Sequence, residues 1–404
     1  MKQKKRTKKL LLILGLLFIL SPSSTLAQGG LELGTAIVTD PPMIIYSEPN
    51  LFADLLVVAE AGDVVNVIEV DGEWALVAFG DVEGWAEADR LENAEITSPL
   101  PRPRGIHRMA YDSESDRIIM YGGQTAGQMS PVSALTDTWA YDVSSNTWAQ
   151  MSPVESPPQG FGPLAYDVQS DRIVYFVGST GFGYASSSTW VYDYNTDSWT
   201  NMSPDNAPPA AIGARMAYDT ESDRMILFGG FDNATYPGDR NFLTETWAYD
   251  YDSNTWTQMQ PEVSPPGMWN HAMAYDGSAD RVILVFGGTW AYDYNTDTWE
   301  ALDEFYEYYF AGIVYVTGLE QVVLYGGVSA SGPHRTTWAF DYEARDWIRL
   351  DPEGSPGARG WHAMAYNSAA DRIIMFGGGR TNESFELETW SYDPSANTWT
   401  RVLP

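Results

Sequence analysis

TWAYDYNTDTW, residues 289–299, decides the fold, because the same figure returns six times between residue 105 and residue 404. Its first tryptophan stands at Trp139, Trp190, Trp247, Trp290, Trp338 and Trp390. Its second follows nine residues later, at Trp148, Trp199, Trp256, Trp299, Trp347 and Trp399. Twelve of the sixteen tryptophans thus obey one spacing, and a spacing repeated six times marks stacked units rather than one irregular domain.

Working outward, each unit has four beats. A short apolar run ends in a tyrosine (111, 166, 218, 275, 315, 366), and six residues later Arg117, Arg172, Arg224, Arg281, Gln321 or Arg372 opens a second apolar run. That run closes on a glycine pair: Gly122 and Gly123, Gly229 and Gly230, Gly287 and Gly288, Gly326 and Gly327, Gly377 and Gly378, with Val177-Gly178 in the second unit. Beats three and four are the two tryptophan runs, joined by an Asp/Asn-rich turn. Each beat is four to six residues of β-branched and aromatic type, too short for a helix, so the unit reads as four antiparallel strands. Four strands cannot bury both faces of their own sheet. Radial stacking buries each sheet on the next, which predicts an all-β fold, a six-bladed β-propeller. The glycine pairs mark places where only a missing side chain allows the backbone conformation or a close approach.

The ordered set of glycine pair, Tyr-Asp and paired tryptophans resembles the kelch repeat, as in propellers of the galactose oxidase central-domain type. The resemblance covers residues 105–404 in six units, with blades at about 105–153, 158–203, 209–259, 266–302, 305–350 and 356–404. Blade five diverges in its first half. In blade four only Thr289 separates Gly288 from Trp290, so the loop between strands two and three is nearly missing. Each unit runs from strand one to strand four, so the ring is expected to close without strand exchange.

Ahead of the repeats the chain changes character. MKQKKRTKK, an apolar run from Leu10 to Leu20 and small residues up to Ala27 form the three parts of a secretory signal peptide over residues 1–27. The apolar run is short for a membrane span, and no second long one follows, so no membrane insertion is expected after cleavage and the chain is expected to be secreted or extracytoplasmic. After a short segment at 28–34, residues 35–92 alternate β-rich runs with turn residues, Asp71-Gly72 among them. With YSEPN, AGDVVNVIEVDGEWALV and EGWAEADRL, this stretch resembles a bacterial SH3-like domain, a small barrel. That resemblance implies contact with cell-wall peptide or glycan, although Tyr46 stands where Arg is common and Glu48 where Gly is common. Prolines 99, 101 and 103 make residues 93–104 a stiff linker.

All five lysines lie in the signal segment, and 17 arginines against 54 acidic residues leave −37 for residues 28–404. Such a surface repels nucleic acid and anionic membranes, which removes both from the expected partners. Without cysteine there is neither a disulfide framework nor a thiolate metal site, so burial must hold the fold.

In a four-stranded meander, the loops from strand two to three and from strand four to the next strand one share a face. Variable insertions fall there, and recognition is expected there. Its polar candidates are His107, His271 and His362, each two residues before a Met-Ala-Tyr, with Arg104 and Arg359 three residues upstream of two of them and Trp269 and Trp361 alongside. Arginine pairs carboxylates and an indole stacks on sugar rings, so a ligand-binding mouth is one reading and packing of the repeats is the other. The Asp293–Asp297 run resembles a calcium loop but lacks the glycine and distal glutamate of one, and reads as a β-turn. The recurrent Asp-Arg pairs (116/117, 171/172, 223/224, 280/281, 371/372) read as ion pairs within or between blades. Neither a metal nor a cofactor is expected. Galactose oxidase chemistry needs a cysteine, which is absent. The kelch-type sialic acid isomerases use polar channel residues, but no specific motif matches, and no nucleophile elbow, phosphate loop or HExxH occurs. The expectation is a secreted, non-catalytic scaffold binding an extracellular glycan or protein on its loop-rich face, across the gap left at blade four. The alternative is a carbohydrate isomerase or lyase at the channel.

Overall fold

A computed structural model describes residues 34–38, 43–49, 55–59, 64–71, 73–79, 82–93, 100–125, 134–178, 186–232, 241–305, 308–381 and 384–403. The expected signal peptide lies outside the described residues, as do the tips of several loop insertions. The chain divides into two compact units, Met1–Glu95 and Ile96–Pro404.

In the first unit seven antiparallel strands form one sheet. Asp71 pairs directly with Trp74, and Phe79 with Val82, so two-residue connections join successive strands. Burial alternates as a one-sided sheet requires: Ala75 and Val77 are buried while Trp74 and Leu76 are partly exposed. Register shifts between Ile45 and Tyr46 and between Val67 and Glu69 bend the strands, and Tyr46 meets Trp74 edge-on at 5.8 Å.

The second unit contains, among the described residues, six four-stranded antiparallel sheets, each contiguous in sequence. The sheet built on the opening figure is typical: Ala272–Asp276, Arg281–Val285, Thr289–Asp293 and Thr298–Asp303. The six first strands adjoin one another in chain order, and the last lies against the first, Ala363–Asn367 beside Arg108–Asp112. Six apolar clusters fill the six seams. The closing cluster joins Met109, Met120, Trp139 and Trp148 to Ala365, Ile374 and Phe376. Because every sheet is covered on both faces, second strands such as Ile118–Tyr121 are buried throughout and read as unbroken apolar runs despite their antiparallel pairing.

The repeat residues acquire specific tasks. The second tryptophan of each sheet inserts into the preceding seam and donates its indole N–H to the threonine that precedes the first tryptophan of the preceding sheet. Trp199 donates to Thr138 (2.9 Å), Trp256 to Thr189 (2.8 Å), Trp299 to Thr246 (2.9 Å), Trp347 to Thr289 (2.8 Å), Trp399 to Thr337 (3.2 Å), and Trp148 closes the ring on Thr389 (3.1 Å). All six threonines are at most 1% exposed. This is why Thr-Trp and a Trp-to-Trp spacing of nine travel together.

The hairpin turns of every sheet but the fifth share one device. A tyrosine hydroxyl donates to an Asp or Asn five residues on, as Tyr275 does to Asp280 (2.9 Å) and Tyr292 to Asp297 (2.8 Å), with the acceptor residue in the left-handed region (φ 55° and 51°). Asp and Asn tolerate that conformation best. In the Asp293–Asp297 run the carboxylates are therefore engaged in the turn: Asp293 accepts from the Thr296 amide and pairs with Arg281 at 2.8 Å. The arginine of each recurrent Asp-Arg pair reaches within its own sheet to the aspartate ending strand three, 2.7–3.0 Å away, rather than across a seam.

Candidate binding face and central channel

The lead-in to strand one bridges to the residues just after the glycine pair of the same sheet: Gly105 with Gln124, Tyr309 with Val328, Gly360 with Gly379. Both kinds of variable connection therefore gather at one end of the second unit, and the repetitive hairpins gather at the other.

At that loop-rich end Arg104 is fully buried, donating to both carboxylate oxygens of Asp137 (2.6 and 2.8 Å) and to the Gly122 carbonyl (2.9 Å). Arg359 repeats the device in the last sheet, with Glu388 (2.6 Å) and the carbonyls of Gly377 and Pro356. Both acids also accept the indole N–H of the first tryptophan of their sheets, Trp139 and Trp390. Burial disfavours the Asp137 carboxylate, but the Arg104 hydrogen bonds and charge outweigh it and hold the group below the usual carboxylate range. The two arginines thus clamp a loop onto the lead-in.

The three histidines are buried wedges. Each ring sits against the first glycine of the preceding sheet's pair: His107 on Gly377, His271 on Gly229, His362 on Gly326. A Cβ at Gly229 would stand 3.0 Å from the Met268 carbonyl and 3.2 Å from the His271 ring, which is why that position carries no side chain. Desolvation dominates their titration, pushing His362 down to about 3 and His107 and His271 well below the usual value, so all three are neutral at pH 7. His107 and His362 line one chamber, but the three histidines form no close trio. Among the described residues the only close trio of metal-type ligands is Asp112, Glu114 and Asp171, at the hairpin end, where Asn195 donates to the latter two.

Trp269 and Trp361 reach the surface and join an aromatic belt. Trp269 meets Phe231 (5.1 Å), Phe310 (6.0 Å) and Tyr309 (6.3 Å). Phe310 lies against Trp361 (5.1 Å), and Phe286, beside the short Gly287-Gly288 connection, against Tyr309 (4.7 Å). The belt crosses sheets three to six over that connection.

A partial collar of backbone hydrogen bonds runs round the channel beneath, from the third sheet to the first. Asn270 N–H donates to Gly213 (2.8 Å), Phe310 to Asn270 (3.0 Å), Trp361 to Phe310 (3.1 Å) and Ile106 to Trp361 (2.8 Å). All five residues have positive φ, and for Ile106, Phe310 and Trp361 that conformation is strained, a cost typical of ligand-facing positions. Inside the collar is a chamber of about 100 Å³, and a second of about 370 Å³ opens at the hairpin end, ringed by Tyr111, Tyr166, Tyr218, Tyr275, Tyr315 and Tyr366. Met109, Leu164, Met216, Met273, Ile313 and Met364 line both chambers, forming an apolar waist.

The family profile of the KLHDC2/KLHL20/DRC7 Kelch-repeats domain matches residues 86–288, half of the chain. The chain belongs to the kelch-repeat family. Its all-β sheets are those of a kelch β-propeller. The kelch chain is 22% identical over 315 residues to multiple epidermal growth factor-like domains protein 8 of Mus musculus, covering 74% of this chain and 10% of that protein. It is 24% identical over 201 residues to acyl-CoA-binding domain-containing protein 4 of Arabidopsis thaliana, covering 46% and 28%. It is 27% identical over 202 residues to the leucine-zipper-like transcriptional regulator 1 homolog of Drosophila melanogaster, covering 46% and 19%. The chain therefore spans between 10% and 28% of these relatives' length, and the likeness concerns that part alone.

The residue before the strand-one Met-Ala-Tyr is Arg108, Pro163, Arg215, Ala272, Gly312 and Ala363 in successive blades. The two arginines point into the collared chamber, and sequence reasoning passed over them. Superposing the six repeats on their tyrosines would have exposed them as charges among small residues.

Proposed function

We propose that this kelch chain is a secreted, non-catalytic binding scaffold, a six-bladed propeller preceded by an SH3-like barrel, that takes an extracellular glycan or protein on its loop-rich face. The observation that carries the reading is the aromatic belt of Phe231, Trp269, Phe310 and Trp361 over the short blade-four connection. Trp269, Phe310 and Trp361 are half-buried, with Phe231 buried against Trp269, and such rings at fixed angles supply stacking area for a sugar ring and anchors for a protein partner at little entropic cost. Arg359, clamped on Glu388, fixes the lead-in that carries Trp361, and Arg104 does the same for the lead-in of the first sheet through Asp137. The ligand approaches across blade four, where the missing loop leaves the belt uncovered. The SH3-like unit adds contact with the cell wall.

The test is binding of the mature chain to a glycan panel that includes sialylated sugars and peptidoglycan fragments, with Trp269→Ala and Trp361→Ala in parallel. A ligand retained by both variants, or lost only on substituting the side opposite blade four, rules out the belt as the site.

A further inference from the structure

Ten described arginines, Arg104 and Arg359 among them, are paired with carboxylates. Arg102, Arg335 and Arg380 are exposed to water. Arg108 and Arg215 fit neither group. They lie inside the channel of a chain with 54 acidic residues, and no carboxylate among the described residues pairs with either. Arg108 spends its donors on backbone carbonyls: Gly162 (3.0 Å), Phe161, Ile106 and His107 (each 3.2 Å). Those bonds tie blade one to blade two where the backbone collar is interrupted, and they hold the guanidinium in place. Among the described residues Arg215 donates only to the Ala214 carbonyl (3.1 Å) and the Asn270 side chain (3.3 Å), leaving three of its five N–H groups. Burial lowers the affinity of both side chains for their protons, and Arg215 also feels the Arg108 charge. Two half-buried like charges lining one small chamber are costly unless an anion joins them.

We propose that this chamber binds a small organic carboxylate between Arg108 and Arg215. The guanidinium fork matches the two oxygens of a carboxylate. The facing wall of Ala272, Gly312 and Ala363, with Phe310 and Trp361 at the rim, suits a short apolar body, which inorganic phosphate lacks. A cavity of about 150 Å³ holds the six non-hydrogen atoms of benzene, so about 100 Å³ limits the ligand to roughly four to six. The site is independent of the macromolecular ligand proposed above: a chain that binds no glycan or protein still holds the acid.

Titration calorimetry of the mature chain with acetate, butyrate and isobutyrate, their amides and inorganic phosphate tests this. At least one acid binds, its amide binds at least tenfold more weakly, Arg215→Met abolishes the signal, and Arg102→Met leaves it unchanged. The same acid raises the melting temperature of the unaltered chain and not that of Arg215→Met. Acid and amide binding alike, phosphate binding as tightly as any acid, no acid binding at all, or binding unchanged in Arg215→Met each overturns the proposal. The comparison of acid with amide uses the unaltered chain, so it decides even if a variant fails to fold.

Discussion

Substituting Thr389 by Val isolates the bond that closes the ring. The swap keeps the side-chain shape and removes only the hydroxyl that accepts the Trp148 indole N–H at 3.1 Å. Trp148 is 1% and Thr389 0% exposed, so water cannot replace the lost acceptor. An orphaned buried donor costs about 1–3 kcal/mol. For a unit of this size that lowers the melting temperature by roughly 2 °C per kcal/mol, a fall of about 2–6 °C by calorimetry. Because Trp148 and Thr389 lie 241 positions apart, the loss is felt where the first and last sheets meet. Amide exchange in Arg108–Asp112 and Ala363–Asn367 should therefore accelerate more than in the sheets opposite. Pairing the substitution with Trp148→Phe completes a double-mutant cycle, in which a coupling of about 1 kcal/mol is expected. Thr296→Val, on the exposed turn of sheet four, serves as the control. A melting temperature for Thr389→Val within 0.5 °C of the control, or a coupling of zero, would refute the closing role of the bond.

Acid should destabilise the protein through its wedges. His107, His271 and His362 stay neutral when folded but take up a proton below about pH 6.5 when unfolded, so stability is full above that value and is lost as pH falls toward the folded values, about 3 for His362. Between pH 7.0 and 5.5 the three together should cost about 4 kcal/mol in denaturant titrations. His271→Phe, which preserves the ring contact with Phe228, should remove about a third of that loss, and an unchanged slope would exclude the wedge. Two glycines separate strain from contact. Gly357→Ala, at φ 81° with nothing within 4 Å, should cost only the left-handed penalty of about 1–2 kcal/mol. Gly229→Ala, at φ 70° and pressed against Met268 and His271, should cost clearly more by equilibrium unfolding; equal losses would mean the close approach carries no weight.

The sequence alone determined the repeat, its strand order and the turn chemistry. Tryptophan spacing, alternating apolar runs and Asp or Asn in the left-handed turn position are all properties of residues near one another in the chain. Local spacing also located Trp269 and Trp361 on the variable face. Tertiary structure decided what the conspicuous polar residues do. Arg104 looked like a free cation because Asp137, its partner, lies 33 positions away across an insertion, and His107 looked like a ligand because the glycine it fills belongs to the last blade. Arg108 and Arg215 looked ordinary, since nothing local separates a strand residue that faces a channel from one that faces solvent. That distinction exists only once six sheets close on an axis, because burial and charge compensation are set by neighbours that sequence distance does not reveal.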